Sequence, residues 1–170
     1  PTVPATACAL ARLRQAASAT TIPTAKIDSL IVRTFLNGGM RRLVAPAVVT
    51  ANQGPISTTD SQVLTSGSTQ VVSPGGQVRL TLSMLASGTV QDDVFIFRVR
   101  DGSPTGTELT GARVYMTITN TTHTSALLVA SVAVSAGVAR TLYVTVTRSS
   151  GTGTITVLPG TTLIVDEDPS

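Results

Sequence analysis

Val78, Leu80, Leu82 and Met84 alternate with Arg79, Thr81 and Ser83, a period of two that dictates an extended backbone. Successive side chains point to opposite faces only in a strand, so this run is expected to bury one face and leave the other wet. The pattern returns at Phe95, Phe97 and Val99 against Arg98 and Arg100, and again at Val114, Met116 and Ile118. Leu128, Ala130, Val132 and Val134 repeat it, as do Leu142, Val144 and Val146 against Thr141, Thr145 and Thr147. With short runs at 155–157 and 163–165 and a further segment near 70–72, about eight strands are expected. Turn signals separate them: Ser87-Gly88, Asp101-Gly102-Ser103-Pro104, Ala136-Gly137, Ser150-Gly151 and Pro159-Gly160. Such spacing leaves no room for crossover helices, so the strands must run antiparallel. The spacing is typical of sandwiches and barrels, and the expected fold is all-β, an antiparallel β-sandwich over residues 68–170. Its predicted core holds Val78, Leu80, Leu82, Phe95, Phe97, Val99, Val114, Met116, Ile118, Val132, Val144 and Val146.

Composition narrows the functions open to such a module. Of 170 residues, 42% are hydrophobic, enough for a core, but only 12% are charged. A surface this poor in charge must be hydrated by Thr and Ser or be covered by neighbours. Aromatic residues make up 3% with no Trp, which leaves little for stacking on bases or sugars. The single cysteine, Cys8, excludes an intrachain disulfide and a thiolate zinc site. No apolar run approaches the ~20 residues of a membrane-spanning helix, and the start lacks the pattern of a secretory leader. Pro1 reads as the residue left by removal of an initiator Met, and synthesis in the cytoplasm is expected.

Charge is distributed unevenly. Residues 1–45 hold Arg12, Arg14, Lys26, Arg33, Arg41 and Arg42 against Asp28 alone, whereas residues 46–170 are net acidic. Behind Pro23, Ile27, Leu30, Ile31 and Phe35 recur at helical spacing, and Asn37-Gly38-Gly39 supplies a stop. Ile31, Val32 and Thr34 also permit a strand. In either conformation the apolar stripe has no partner within the segment, which predicts a docking arm. Its expected contacts are Ile27, Leu30, Ile31, Arg33, Phe35, Arg41 and Arg42. Six dispersed cations without interleaved aromatics argue against direct nucleic-acid binding. Pro46, Asn52, Gly54, Pro55, Ser66 and Gly67 mark residues 46–67 as a linker.

Candidate chemistry is sparse. His123, the only histidine, lies in a Thr-rich turn, and nothing singles out the Ser and Asp partners of a triad. Asp92-Asp93 reads as a solvated turn. Asp166-Glu167-Asp168 clusters oxygens that a hard cation would accept, but without the spacing of a calcium loop; it reads as a solvated acidic tail or a partner for arginines. Gly151-Thr152-Gly153 lacks the third glycine and the helix of a phosphate-binding loop. No catalytic, cofactor or metal site is expected.

Several strands carry apolar residues on their second face as well: Val94, Ile96, Tyr115, Leu127, Val129 and Tyr143. A sandwich alone in water should place polar residues there, so these six are the expected oligomer interface.

Three segments carry a resemblance: Phe97-Arg98-Val99-Arg100-Asp101-Gly102, Leu142-Tyr143-Val144-Thr145-Val146-Thr147-Arg148, and Gly151-Thr152-Gly153-Thr154-Ile155-Thr156-Val157. With the closing Leu163-Ile164-Val165-Asp166-Glu167-Asp168, residues 68–170 resemble small β-modules of bacteriophage virion proteins, particularly of phages of actinobacteria. The resemblance implies a jelly-roll-like sandwich that forms a homotrimer on the outer surface of the particle, attached to the major capsid protein or to tail proteins. No shaft-forming repeat is present, so a capsid decoration protein is the leading expectation. A minor tail or receptor-binding tip protein is the alternative, and a carbohydrate-binding adhesin module a further one.

Overall fold

The computed structural model describes residues 41–69, 76–134 and 137–169. The chain divides after Arg41, and the second unit, Arg42–Ser170, holds the sandwich. The arm residues Ile27, Leu30, Ile31, Arg33 and Phe35, and the strand expected near 70–72, lie outside the described residues.

Among the described residues every regular element is a strand. There are eleven: β1 (Arg41–Arg42), β2 (Ala47–Val48), β3 (Gln53–Ile56), β4 (Ser61–Thr65), β5 (Gly76–Gly88), β6 (Val94–Asp101), β7 (Glu108–Thr117), β8 (Thr124–Ala133), β9 (Leu142–Ser150), β10 (Ile155–Val157) and β11 (Thr162–Pro169). They form two sheets. The larger is organised around β5, which pairs with β8 on one side and with β10 and β11 on the other; β3 then flanks β10, and β1 and β2 flank β11. The smaller sheet runs β4-β9-β6-β7. All the strand pairings with a defined register are antiparallel.

The alternation in sequence maps directly onto this core. Leu80, Leu82, Met84, Phe95, Phe97, Val99, Val144, Val146, Val157 and Val165 are buried between the sheets. Every predicted core residue is buried except Val114, which is half-buried and packs against the cluster. Phe95 and Phe97 are fully enclosed and fill the volume that no Trp is present to fill.

Residues 46–67, expected as a linker, instead supply β2, β3 and β4 to the two sheets. Pro55 is accommodated because β3 lies at the edge of the sheet, paired with β10 alone, and its register slips between Gln53 and Ile56. In β4 the register against β9 shifts between Gln62 and Leu64. That irregularity buries two consecutive residues, Val63 and Leu64, and erases the alternation by which a strand is recognised.

The connections stitch the sheets together. Asp93, at the crossing from β5 to β6, is buried. Its carboxylate accepts from Gly153 N–H at 2.5 Å and Thr152 N–H at 3.3 Å in the crossing from β9 to β10. Beside it, Thr89 N–H donates to the Thr154 carbonyl at 2.9 Å, and Thr154 N–H donates to Thr89 Oγ1 at 2.8 Å. Gly151 has φ of +96°, and a Cβ there would fall 1.7 Å from Asp93 Oδ1. Only glycine fits. The expectation of a solvated Asp92-Asp93 turn therefore holds for exposed Asp92 and is corrected for Asp93, which pins two crossings.

Candidate interaction surfaces

The outer face of the smaller sheet is a charged lattice. Arg98 and Arg100 project from β6, Arg113 from β7 and Glu108 from its start, while Asp60 approaches from the loop before β4. Arg113 donates to both Glu108 oxygens, each at 2.7 Å. Arg98 Nε reaches Glu108 Oε2 at 3.3 Å, and its Nη1 lies 3.6 Å from Asp60 Oδ1. Arg100 Nη2 closes the chain on Asp60 Oδ2 at 2.6 Å, and its Nε donates to Thr145 Oγ1 at 3.1 Å. Five charges thus alternate in the order Arg113, Glu108, Arg98, Asp60, Arg100. The hydrogen bond from Arg113 holds the Glu108 carboxyl below its ordinary range; burial opposes this, and the charges of Arg113, Arg98 and Arg100 reinforce it. Glu108 and Tyr115 together raise Arg113 above the usual guanidinium value. These guanidinium groups are satisfied by their own chain, so the lattice fixes strand order and leaves little capacity for an external anion.

The outer face of the larger sheet has a different character. In register across the sheet, Leu127 stands beside Ser83, Ser83 beside Thr162, and Thr162 beside Val48. The next row runs Val129, Thr81, Ile164. Neither row contains a charge. Leu127 is 62% exposed, Val129 49% and Val48 46%. Charge returns only further along, where Arg79 faces Asp166 in register and Arg42 Nε meets Asp166 Oδ1 at 2.5 Å.

The six residues expected to form one interface divide between these faces. Val94, Ile96, Tyr115 and Tyr143 belong to the smaller sheet, and Leu127 and Val129 to the larger. Ile96 sits between Tyr115 and Thr147 in register and is only 8% exposed, so its own chain already covers it. Val94 and Tyr143 are half-buried, whereas Tyr115 is 55% exposed. Alternation gives the face of each strand but not the sheet to which the strand belongs, and for that reason a single patch was expected where there are two. Val48 was missed because a two-residue strand carries no periodic signal.

Of the arm residues, Arg41 and Arg42 are described. Arg42 is exposed yet engaged with Asp166 of its own chain. Of the two readings of Asp166-Glu167-Asp168, the partner for arginines holds and the solvated tail does not: the segment lies in β11, inside the larger sheet, with Asp166 and Glu167 buried and Asp166 paired to Arg42. A strand sends Asp166 and Asp168 to one face and Glu167 to the other, so the three carboxylates diverge. No group of three His, Cys, Asp or Glu able to hold a metal occurs among the described residues. His123 is exposed in the β7–β8 turn, where Thr122 N–H donates to Asn120 Oδ1 at 2.8 Å. Among the described residues no helix is long and apolar enough to cross a membrane.

No protein-family model and no curated protein matches this chain.

Proposed function

We propose that this chain is a non-enzymatic structural protein of a bacteriophage virion, a decoration protein that docks on the assembled capsid through its N-terminal arm. The observation that carries the reading is the contrast between the two outer faces. One is guarded by a five-membered ion-pair lattice; the other presents uncharged rows with Leu127, Val129 and Val48 exposed. A face of that kind is costly in water and is suited to being covered in an assembly. The resemblance of residues 68–170 to virion β-modules suggests the biological setting. The basic charge of residues 1–45 suits an acidic lattice surface, with guanidinium groups pairing to carboxylates.

The test is to purify particles carrying the full chain or a version lacking residues 1–41 and to count copies by quantitative mass spectrometry. Abundance close to that of the major capsid protein is expected for the full chain. Loss of incorporation is expected for the truncated chain, provided circular dichroism shows its sheets intact. Normal incorporation of the truncated protein would overturn the docking-arm assignment. A few copies per particle, located at the tail, would instead establish the minor tail alternative.

A further inference from the structure

Each sheet ends in edge strands, whose unpaired N–H and C=O groups invite another strand unless something blocks them. Three of the four flanks are blocked. In the larger sheet, the flank opposite β8 is broken into the short pieces β1, β2 and β3, with Pro55 in the last. In the smaller sheet, β4 has five residues and a register shift. At the other side of that sheet, β7 carries Glu108 and Arg113, and Gly111 at φ +82° with a register shift opposite.

The fourth flank is β8. It runs ten residues without a charge, a proline or a glycine, and its pairing with β5 is unbroken from Ala133 to Thr124. Among the described residues it pairs with no other strand. Among the described residues the strand itself carries none of the usual blocks, although β7, joined to it by the 118–123 turn, runs close alongside.

The sequence of this edge says what fits it. Residues 125–131 read Ser-Ala-Leu-Leu-Val-Ala-Ser, a near-palindrome centred on Leu128. We propose that β8 is a homotypic docking edge, through which two copies of this chain pair antiparallel about a two-fold axis at Leu128 and continue the larger sheet across the dimer. That register sets Ser125 opposite the partner's Ser131, Ala126 opposite the partner's Ala130, and Leu127 opposite the partner's Val129. Residues 127 and 129 lie on the same face, so the exposed apolar pair of one copy meets that of the other. No like charges are brought together. An antiparallel strand paired with its own copy requires a two-fold axis, so this edge builds a dimer and not the three-fold arrangement implied by the phage resemblance. The proposal is independent of the virion assignment.

Sedimentation velocity of the full chain across a concentration series should show a monomer–dimer equilibrium. Replacing both Leu127 and Val129 with Asp sets carboxylates opposite one another and should weaken the dimer by about tenfold or more. Val138→Asp, equally exposed but off the strand, should leave the dimer unchanged. Register is read by cross-linking in a Cys8→Ser background. Leu127→Cys and Val129→Cys proteins, mixed and oxidised, should form an interchain disulfide far faster than either alone, because directly opposite Cβ atoms sit about 5 Å apart and diagonal ones about 7–8 Å. A monomer at all concentrations, a trimer, or equal cross-linking of Leu127→Cys alone would each overturn the proposal.

Discussion

The hydroxyl of Thr161 takes the place of a backbone neighbour for Leu85: it accepts from Leu85 N–H at 2.9 Å and donates to the Leu85 carbonyl at 3.1 Å. Leu85 stands where β10 hands over to β11 along β5, in the gap of Met84 and Leu85 where neither strand supplies a paired residue. Thr161 is fully buried, so water cannot replace it. The Leu85 carbonyl also accepts from Leu158 N–H at 2.8 Å, but Thr161 is the partner that serves the N–H.

Thr161→Val keeps the shape and removes the hydroxyl, leaving a buried N–H without an acceptor. Such a loss costs about 1–3 kcal/mol. Urea denaturation should show a lower midpoint with an unchanged slope. Thr161→Ser retains the hydroxyl and should lose markedly less; equal losses for Val and Ser would assign the role to the methyl group.

Phe97 has no exposed surface at the centre of the sandwich. Phe97→Ala should cost about 3–5 kcal/mol. A loss near that of a surface substitution, about 0.5 kcal/mol, would reverse the inward face assigned to β6.

The central strands were legible because β5, β6, β8 and β9 each have one buried face and one wet or half-wet face, which is what alternation records. What escaped is non-local or irregular. The shift in β4 stacks Val63 and Leu64 on one side and hides a strand among Ser, Thr and Gly. The acidic end was legible as a partner for arginines, but which arginine was not, because Arg42 lies 124 residues away in sequence. Asp93 looked like a turn residue because no local pattern reveals that two backbone N–H groups from the 151–153 turn converge on it. The candidate interface was legible only as a set of apolar residues. Its division between two sheets, and the burial of Ile96, depend on the crossings between them.

Removing the Asp93 carboxylate leaves the Gly153 and Thr152 N–H groups without an acceptor. Asp93→Ala should destabilise by about 2–4 kcal/mol, given the strength of bonds to a charged acceptor plus the desolvated donors left behind. Gly151→Ala should be damaging for two reasons, a positive φ and overlap with the Asp93 carboxylate. Hydrogen exchange at Gly153 N–H offers the direct readout: both variants should accelerate it, and protection equal to wild type would sink the pin.

Acid should weaken the sheet held by the ion-pair lattice. The folded-state pKa of Glu108 lies below the ordinary value of 4.5, so its contribution is present in full above that pH. It is lost as pH falls through the lower folded value, because the unfolded chain then binds the proton more readily. Thermal midpoints compared between wild type and Glu108→Gln should therefore differ near neutrality and converge as pH falls through the lowered folded-state value. A gap that persists unchanged into acid would mean that the side chain acts through packing and not through charge.

Arg42, where the sandwich begins, is tied to Asp166 near its end, so both ends of this unit leave from the same pole. The turns at 89–93, 119–123 and 151–154 gather at the opposite pole, where Gly88 N–H donates to the Thr121 carbonyl and Thr89 to Thr154. A tag fused after Pro169 would consequently lie beside the point where the chain enters the sandwich. A peptide grafted into the 119–123 turn would instead ride at the far tip, giving an engineer a display site separated from both ends of this unit by the full length of β5.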